Sequence, residues 1–120
     1  DTAIKGGVLQ DITQYAEESP DIVVNATPLG MTGTETTFQD LSFLKKLPEN
    51  TLVYDLIYDP AETALLAEAK RRGHRTQNGL KMLQYQALLA DRLFLDRETD
   101  TETMRLTNIT NSLERAVPEK

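Results

Sequence analysis

The 120-residue chain has no cysteine, no tryptophan and one histidine, and its formal charge is −6. Each shortage closes a class of function. Without cysteine there are no disulfides, thiol nucleophiles or thiolate-bound metals, although this does not fix the compartment. A single histidine, His74, leaves no histidine pair for a zinc centre, so no metal site is expected. The acidic balance, with an isoelectric point near 4.7, argues against nucleic acid or an anionic membrane as the main partner, because phosphate contacts ask for a basic face. The local run "KRRGHR" (70–75) reads as cations completing a helix carboxyl end. No apolar run approaches the roughly 20 residues of a membrane helix. The opening "DTAIKGGVLQ" lacks the basic start and apolar stretch of a signal peptide, so a cytoplasmic protein is expected. No carboxylate pair is placed for glycosidase chemistry, and the acids of "DRETDTE" read as capping and solubility residues. The chain does not open on Met, which reads as a piece of a longer protein.

What is present is ordinary for a folded domain: 39% hydrophobic and 27% charged residues, enough for a single domain over 1–120 with one modest core. "LQDITQYAEESP" carries Leu9, Ile12, Tyr15 and Ala16 at helical spacing and is stopped by Pro20. "DIVVNAT" (21–27) is a continuous β-branched run, the pattern of a strand covered on both faces. A Gly- and Thr-rich loop (28–38) leads to a short helix over 40–47 with Asp40 as its cap. "TLVYDLIY" (51–58) is the next buried strand.

Asp59, Pro60 and Glu62 then form the pattern of a helix start, with Asp59 the cap and Glu62 closing a capping box. That helix ends at Gly73, and "HRTQ" (74–77) is a weak third strand. Asn78-Gly79 opens a long helix whose stripe is Leu83, Ala87, Ala90 and Phe94. A last helix is expected around "TMRLTNITNSLERA", before a frayed "VPEK" tail. Strands alternating with helices predict an α/β fold: a partial Rossmann-like, three-layer arrangement with a short parallel sheet of about three strands, flanking helices and a helical carboxyl end. No phosphate-binding glycine fingerprint opens it.

Three stretches in fixed order, "NATPLGM" (25–31), "YDLIYDPAETALL" (54–66) and "NGLKMLQYQA" (78–87), resemble the carboxy-terminal part of the shikimate/quinate dehydrogenase family. "FLDRETDTETMR" (94–105) is similar to the lead into that family's last helix. The resemblance covers roughly 12–115. It implies the carboxy-terminal half of a nicotinamide dinucleotide-binding domain, in an oxidoreductase that interconverts 3-dehydroshikimate and shikimate with NADP (or NAD). The family's Gly-rich loop, its adenosine-phosphate reader and its substrate domain all precede "NATPLGM", and none is here. Nor is the Lys/Asp pair assigned to proton transfer; Lys5 lacks the surrounding pattern. No catalytic residue is therefore expected in this chain, which is expected to bind the cofactor only in part and to be inactive alone. Departures from the family pattern are Lys81 in place of Gly, Gln84-Tyr85 in place of an apolar and a small or His residue, and Asp59 in place of Asn.

By resemblance, Asn25, Ala26, Thr27, Leu56, Gly79 and Met82 meet the cofactor, and Tyr58 and Gln86 meet the substrate. The residues allow this. Asn25 to Met31 leave a strand at its carboxyl end, where open α/β sheets bind ligands, and Gly30 removes side-chain bulk. Tyr54, Leu56 and Tyr58 alternate onto one face, with Tyr54 deeper in the core and Tyr58 at the mouth. Met82 and Gln86 lie one helical turn apart on one face, and Gly79 lets backbone approach a flat ring. Each has a plainer reading beside it: an ordinary turn after a strand, and an amphipathic helix with a core Met and a rim Gln. Asp55 reads as structural, His74 as a surface or structural residue, and the Asn108-Ile109-Thr110 sequon as meaningless inside a helix. The other reading is a non-catalytic assembly or interaction module. In it the strand at 22–26 is an apolar sheet edge that pairs in a homodimer or with a complementing chain.

Overall fold

The computed structural model describes residues 3–95. Three parallel strands, β1 (Ile22–Asn25), β2 (Leu52–Asp55) and β3 (Arg75–Gln77), form one sheet in the order β1-β2-β3. This is an α/β, Rossmann-like arrangement, as the alternation of strand and helix patterns predicts. The helices are α1 (Ile12–Ala16), α2 (Ala64–Arg71) and α3 (Leu80–Leu95), with 3-10 turns at Leu9–Asp11 and Ser42–Lys46. The expected last helix and the sequon lie outside the described residues.

Register puts Val23 beside Val53 and Asn25 beside Asp55. Side chains of paired residues in a parallel sheet point the same way, so these four share a face. On that face α1, the Ser42–Lys46 turn and α2 close one core: Phe43, Leu44, Val53, Leu65, Leu66 and Ala69 are buried, with Ile12 and Val23 packed against them. The opposite face of β1 departs from expectation. Ile22 and Val24 are 55% and 50% exposed, so the run that reads as covered twice is covered once by the described residues.

Other boundaries shift for local reasons. The expected helix over 40–47 is a 3-10 turn; Asp40 nevertheless serves its start, accepting the Ser42 N–H and hydroxyl, each at 2.8 Å. α2 is capped by Thr63 and not by Asp59: the Thr63 hydroxyl accepts the Leu66 N–H. Asp59 turns away to accept the Thr32 hydroxyl at 3.0 Å, and the Asp59–Pro60 peptide is cis. Glu62 pairs with Lys70 and closes no capping box. α2 ends at Gly73 in a left-handed conformation. His74 is buried, with Nε2 3.3 Å from the Leu44 carbonyl, a structural residue.

α3 presents a different face from the one its sequence suggests. Gln84 and Leu88 are buried, while Phe94 is 87% exposed and Ala87 is exposed. No helix among the described residues is long and apolar enough to cross a membrane.

Candidate functional site

β1 and β2 run parallel and finish side by side, so the segments that follow them leave the sheet at the same rim. The Leu56 N–H donates to the Asn25 carbonyl at 3.0 Å, carrying the pairing one residue past the strand. Beyond that bond the segments part and enclose a cleft of about 490 Å³. One wall is Ala26, Thr27 and Pro28, with Met31 and Thr32 behind; the other is Leu56, Ile57, Tyr58 and Asp59. The walls are joined at the back, where Thr32 donates its N–H to the Asp59 carbonyl at 2.9 Å and its hydroxyl to the Asp59 carboxylate. Burial alternates from Leu52 to Tyr58, so Leu56 is half-buried, Ile57 buried and Tyr58 40% exposed. Tyr54 is half-buried, shallower than a core residue.

A polar network lies beneath the cleft. Asp55 is fully buried and accepts from the Asn25 amide at 3.1 Å, the Ile57 N–H at 3.0 Å and the Thr63 hydroxyl at 2.7 Å. Asn25 in turn accepts the Thr27 N–H and hydroxyl at 3.0 and 2.6 Å. Buried polar groups persist only when partnered, and here each partner belongs to a different segment. Asp55 is thus structural, as its sequence position suggests. Gly30 follows with φ of +94°, a conformation that costs glycine little.

The sequence-predicted site residues fall into two groups. Ala26, Thr27, Leu56 and Tyr58 line the cleft together, and Asn25 is buried behind it. Gly79 sits on the far side of the Leu56 backbone: its N–H donates to the Ile57 carbonyl at 3.0 Å, and a Cβ there would overlap the Leu56 carbonyl oxygen. This close approach is itself a reason for glycine at 79. Met82, half-buried, and Gln86, exposed, stand on α3 and are not among the cleft-lining residues. Of the additional lining residues, Pro28, Met31, Ile57 and Asp59 fall within the first two quoted motifs without a site role of their own, and Thr32 lies just past the first.

The charged groups whose acidity is shifted lie elsewhere. Arg71 and Arg72 at the end of α2 hold the Glu68 carboxyl down at about 2, chiefly through the Arg71 hydrogen bond. The Ser42 N–H and then its hydroxyl lower Asp40. Asp40 borders a second depression of about 330 Å³ between residues 9–13 and 29–43. The cleft itself offers hydroxyls, backbone amides, apolar walls and one carboxylate. Such a set can hold a flat, amide-bearing ring against Leu56 and meet a hydroxyl-rich molecule at Tyr58.

No protein-family model matches the chain. It is similar to a curated NADP(+) shikimate dehydrogenase of Staphylococcus aureus, with 37% identity over 97 residues, covering 81% of this chain and 35% of that protein. A solved shikimate dehydrogenase in complex with NADP+ matches with a TM-score of 0.72 and 32% identity over 89% of this chain and 35% of its own. Quinate dehydrogenase from Corynebacterium glutamicum in complex with NAD matches with a TM-score of 0.60 and 38% identity, over 82% of this chain and 35% of that one. The chain spans about a third of the length of the curated relatives it matches.

Proposed function

Because the chain belongs, over the residues matched, to the shikimate/quinate dehydrogenase family, we propose that it is the carboxy-terminal half of the nicotinamide-binding domain of a shikimate dehydrogenase-like oxidoreductase. The observation that carries this reading is the cleft at the carboxyl ends of β1 and β2, which brings Ala26, Thr27, Leu56 and Tyr58 together. Ligands of open parallel sheets bind at that end, and the lining suits a nicotinamide. Ala26, Thr27 and Leu56 would hold the ring, with Gly79 and Met82 supporting from the α3 side. Tyr58 and Gln86 would meet the hydroxyls of a shikimate- or quinate-class substrate. Bound there, NADPH or NADH would supply the hydride in one direction and NADP+ or NAD+ would accept it in the other.

This chain's residues bind and orient. Tyr58 offers a phenol hydroxyl and Gln86 an amide to hold the substrate's hydroxyls, and neither is assigned the proton that must reach the reduced carbonyl oxygen. That proton needs an acid from outside the 120 residues. The parent enzyme would be cytoplasmic and the isolated chain inactive. Mixing the purified chain with NADPH and 3-dehydroshikimate should give no loss of absorbance at the reduced-nicotinamide band above the blank. Turnover would overturn the division of labour.

The exposed edge of β1 favours a second reading, a non-catalytic assembly module. Among the described residues, Ile22 and Val24 present apolar side chains beside strand backbone that pairs on one side only, the arrangement that recruits another strand. Pairing across 22–26 would give a homodimer or admit a complementing chain. Sedimentation of the isolated chain should show self-association; a clean monomer at high concentration contradicts the homodimer.

A further inference from the structure

The buried Asp55 carboxylate ties together parts of the chain that the cleft needs held at fixed spacing. Its Oδ1 accepts from Asn25 and from the Ile57 N–H, and its Oδ2 accepts from Thr63, the cap of α2. Asn25 Oδ1 takes both donors of Thr27. The Asn25 amide cannot be turned round. The Thr27 N–H can only donate, so the Asn25 oxygen must face it and the NH₂ must face Asp55.

The chain of bonds therefore runs from one cleft wall to the other: Thr27, Asn25, Asp55, Ile57. Thr27 and Ile57 line opposite walls, while Asn25 and Asp55 are buried behind them. The branch through Thr63 anchors the same carboxylate to the amino end of α2, whose first-turn dipole favours negative charge.

We propose that Asp55 is a positioning residue, and that Asn25 is the strut through which it sets the separation of the cleft walls. The Asn25 side chain then acts on a ligand only through that spacing, since its oxygen and its NH₂ are both engaged within the protein. This rests on the reading of the cleft as the nicotinamide end, and the test separates the two.

Amide hydrogen exchange of the ligand-free 120-residue chain, resolved by residue, tests the strut. The variants are Asn25→Ala and Asp55→Asn, with Ala69→Gly in the buried face of α2 as a control for general destabilisation. In Asn25→Ala the Thr27 N–H loses its own acceptor, but the Ile57 N–H keeps Asp55. A strut predicts that both speed up together, by about tenfold relative to the Val53 N–H. In Asp55→Asn, Thr27 keeps Asn25 and should still speed up with Ile57. In Ala69→Gly the two amides should move only in step with Val53.

Acceleration at Thr27 alone in Asn25→Ala, or no acceleration of Thr27 in Asp55→Asn, overturns the strut; if one of these variants fails to fold, the other decides. A parallel NADPH titration of the unmodified chain tests the cleft. Shifts at Ala26, Thr27 and 56–59 support the nicotinamide reading. No shift there overturns that reading and leaves the exchange result standing. If the unmodified chain binds, the Asn25→Ala, Asp55→Asn double variant should weaken NADPH no more than either single one, and additive losses contradict a shared strut.

Discussion

Replacing Gly79 by alanine puts a methyl group where the Leu56 carbonyl oxygen and carbon already are. Gly79 is the N-cap of α3, its carbonyl accepting the Leu83 N–H at 3.1 Å, and at an N-cap alanine is the poorer choice even without a clash. Here the obstacle is backbone, which no rotamer change can move. Either Leu56 or the start of α3 must shift, at about 1–3 kcal/mol for overpacking. The shift would also weaken the 3.0 Å bond from the Gly79 N–H to the Ile57 carbonyl, about 1 kcal/mol more. The net expectation is a loss of about 2–4 kcal/mol, or roughly 8–25 °C in melting temperature for a domain of this size. Gly6, with nothing within 4 Å of its would-be Cβ, is the control and should change by less than about 0.5 kcal/mol. Urea denaturation followed by far-ultraviolet circular dichroism measures both. If Gly79→Ala is as stable as Gly6→Ala, the close approach of α3 to the cleft wall is not real, and the placement of Gly79 falls with it.

Thr63→Val should lose about 1–3 kcal/mol, because it removes the cap of α2 and one donor to buried Asp55, whereas Thr63→Ser should lose under about 1; chemical denaturation of the pair checks this. Glu68 is lowered from 4.5 to about 2 in the folded chain. Its contribution to stability is therefore fully present above pH 4.5 and is lost as the pH falls toward 2. Glu68→Gln should flatten melting temperature against pH in that window, and an unchanged slope contradicts the pairing. Changing Ile22 and Val24 to lysine places charge on the open edge of β1 without touching the core face; any self-association of the chain should fall, read by sedimentation, with the melting temperature little altered.

Much of the sheet was legible because β-branched runs and helix stops sit close together in the sequence. β1, β2 and β3 fall inside the stretches expected; β1 and β2 stop just after the paired residues Asn25 and Asp55, and β3 loses His74 at its start. The α2 cap was misread because Asp59-Pro60-Ala61-Glu62 fits the local capping pattern; Thr63 takes the role because its hydroxyl is also tied to Asp55. No local pattern announces a bond between residues 25 and 55, which the sheet register creates. The buried face of α3 was unreadable for another reason. Leu80, Met82, Leu83, Leu88, Leu89, Leu93 and Phe94 spread apolar side chains around most of the helix, so periodicity cannot choose a side. Four of the named site residues meet in one cleft because they end neighbouring parallel strands. Those on α3 depend on where that helix lies, which spacing along the chain does not encode.

The central claim is that the strand-end cleft receives the nicotinamide end of a dinucleotide. It is tested most directly by titrating the labelled chain with nicotinamide mononucleotide and, separately, with adenosine 2′,5′-bisphosphate, following every backbone amide by NMR. The account predicts that the nicotinamide half alone moves Ala26, Thr27, Leu56 and Tyr58, weakly but saturably, and that the adenosine half leaves them still. Perturbation of those four by the adenosine half, or none by the nicotinamide half at saturating concentration, would contradict it.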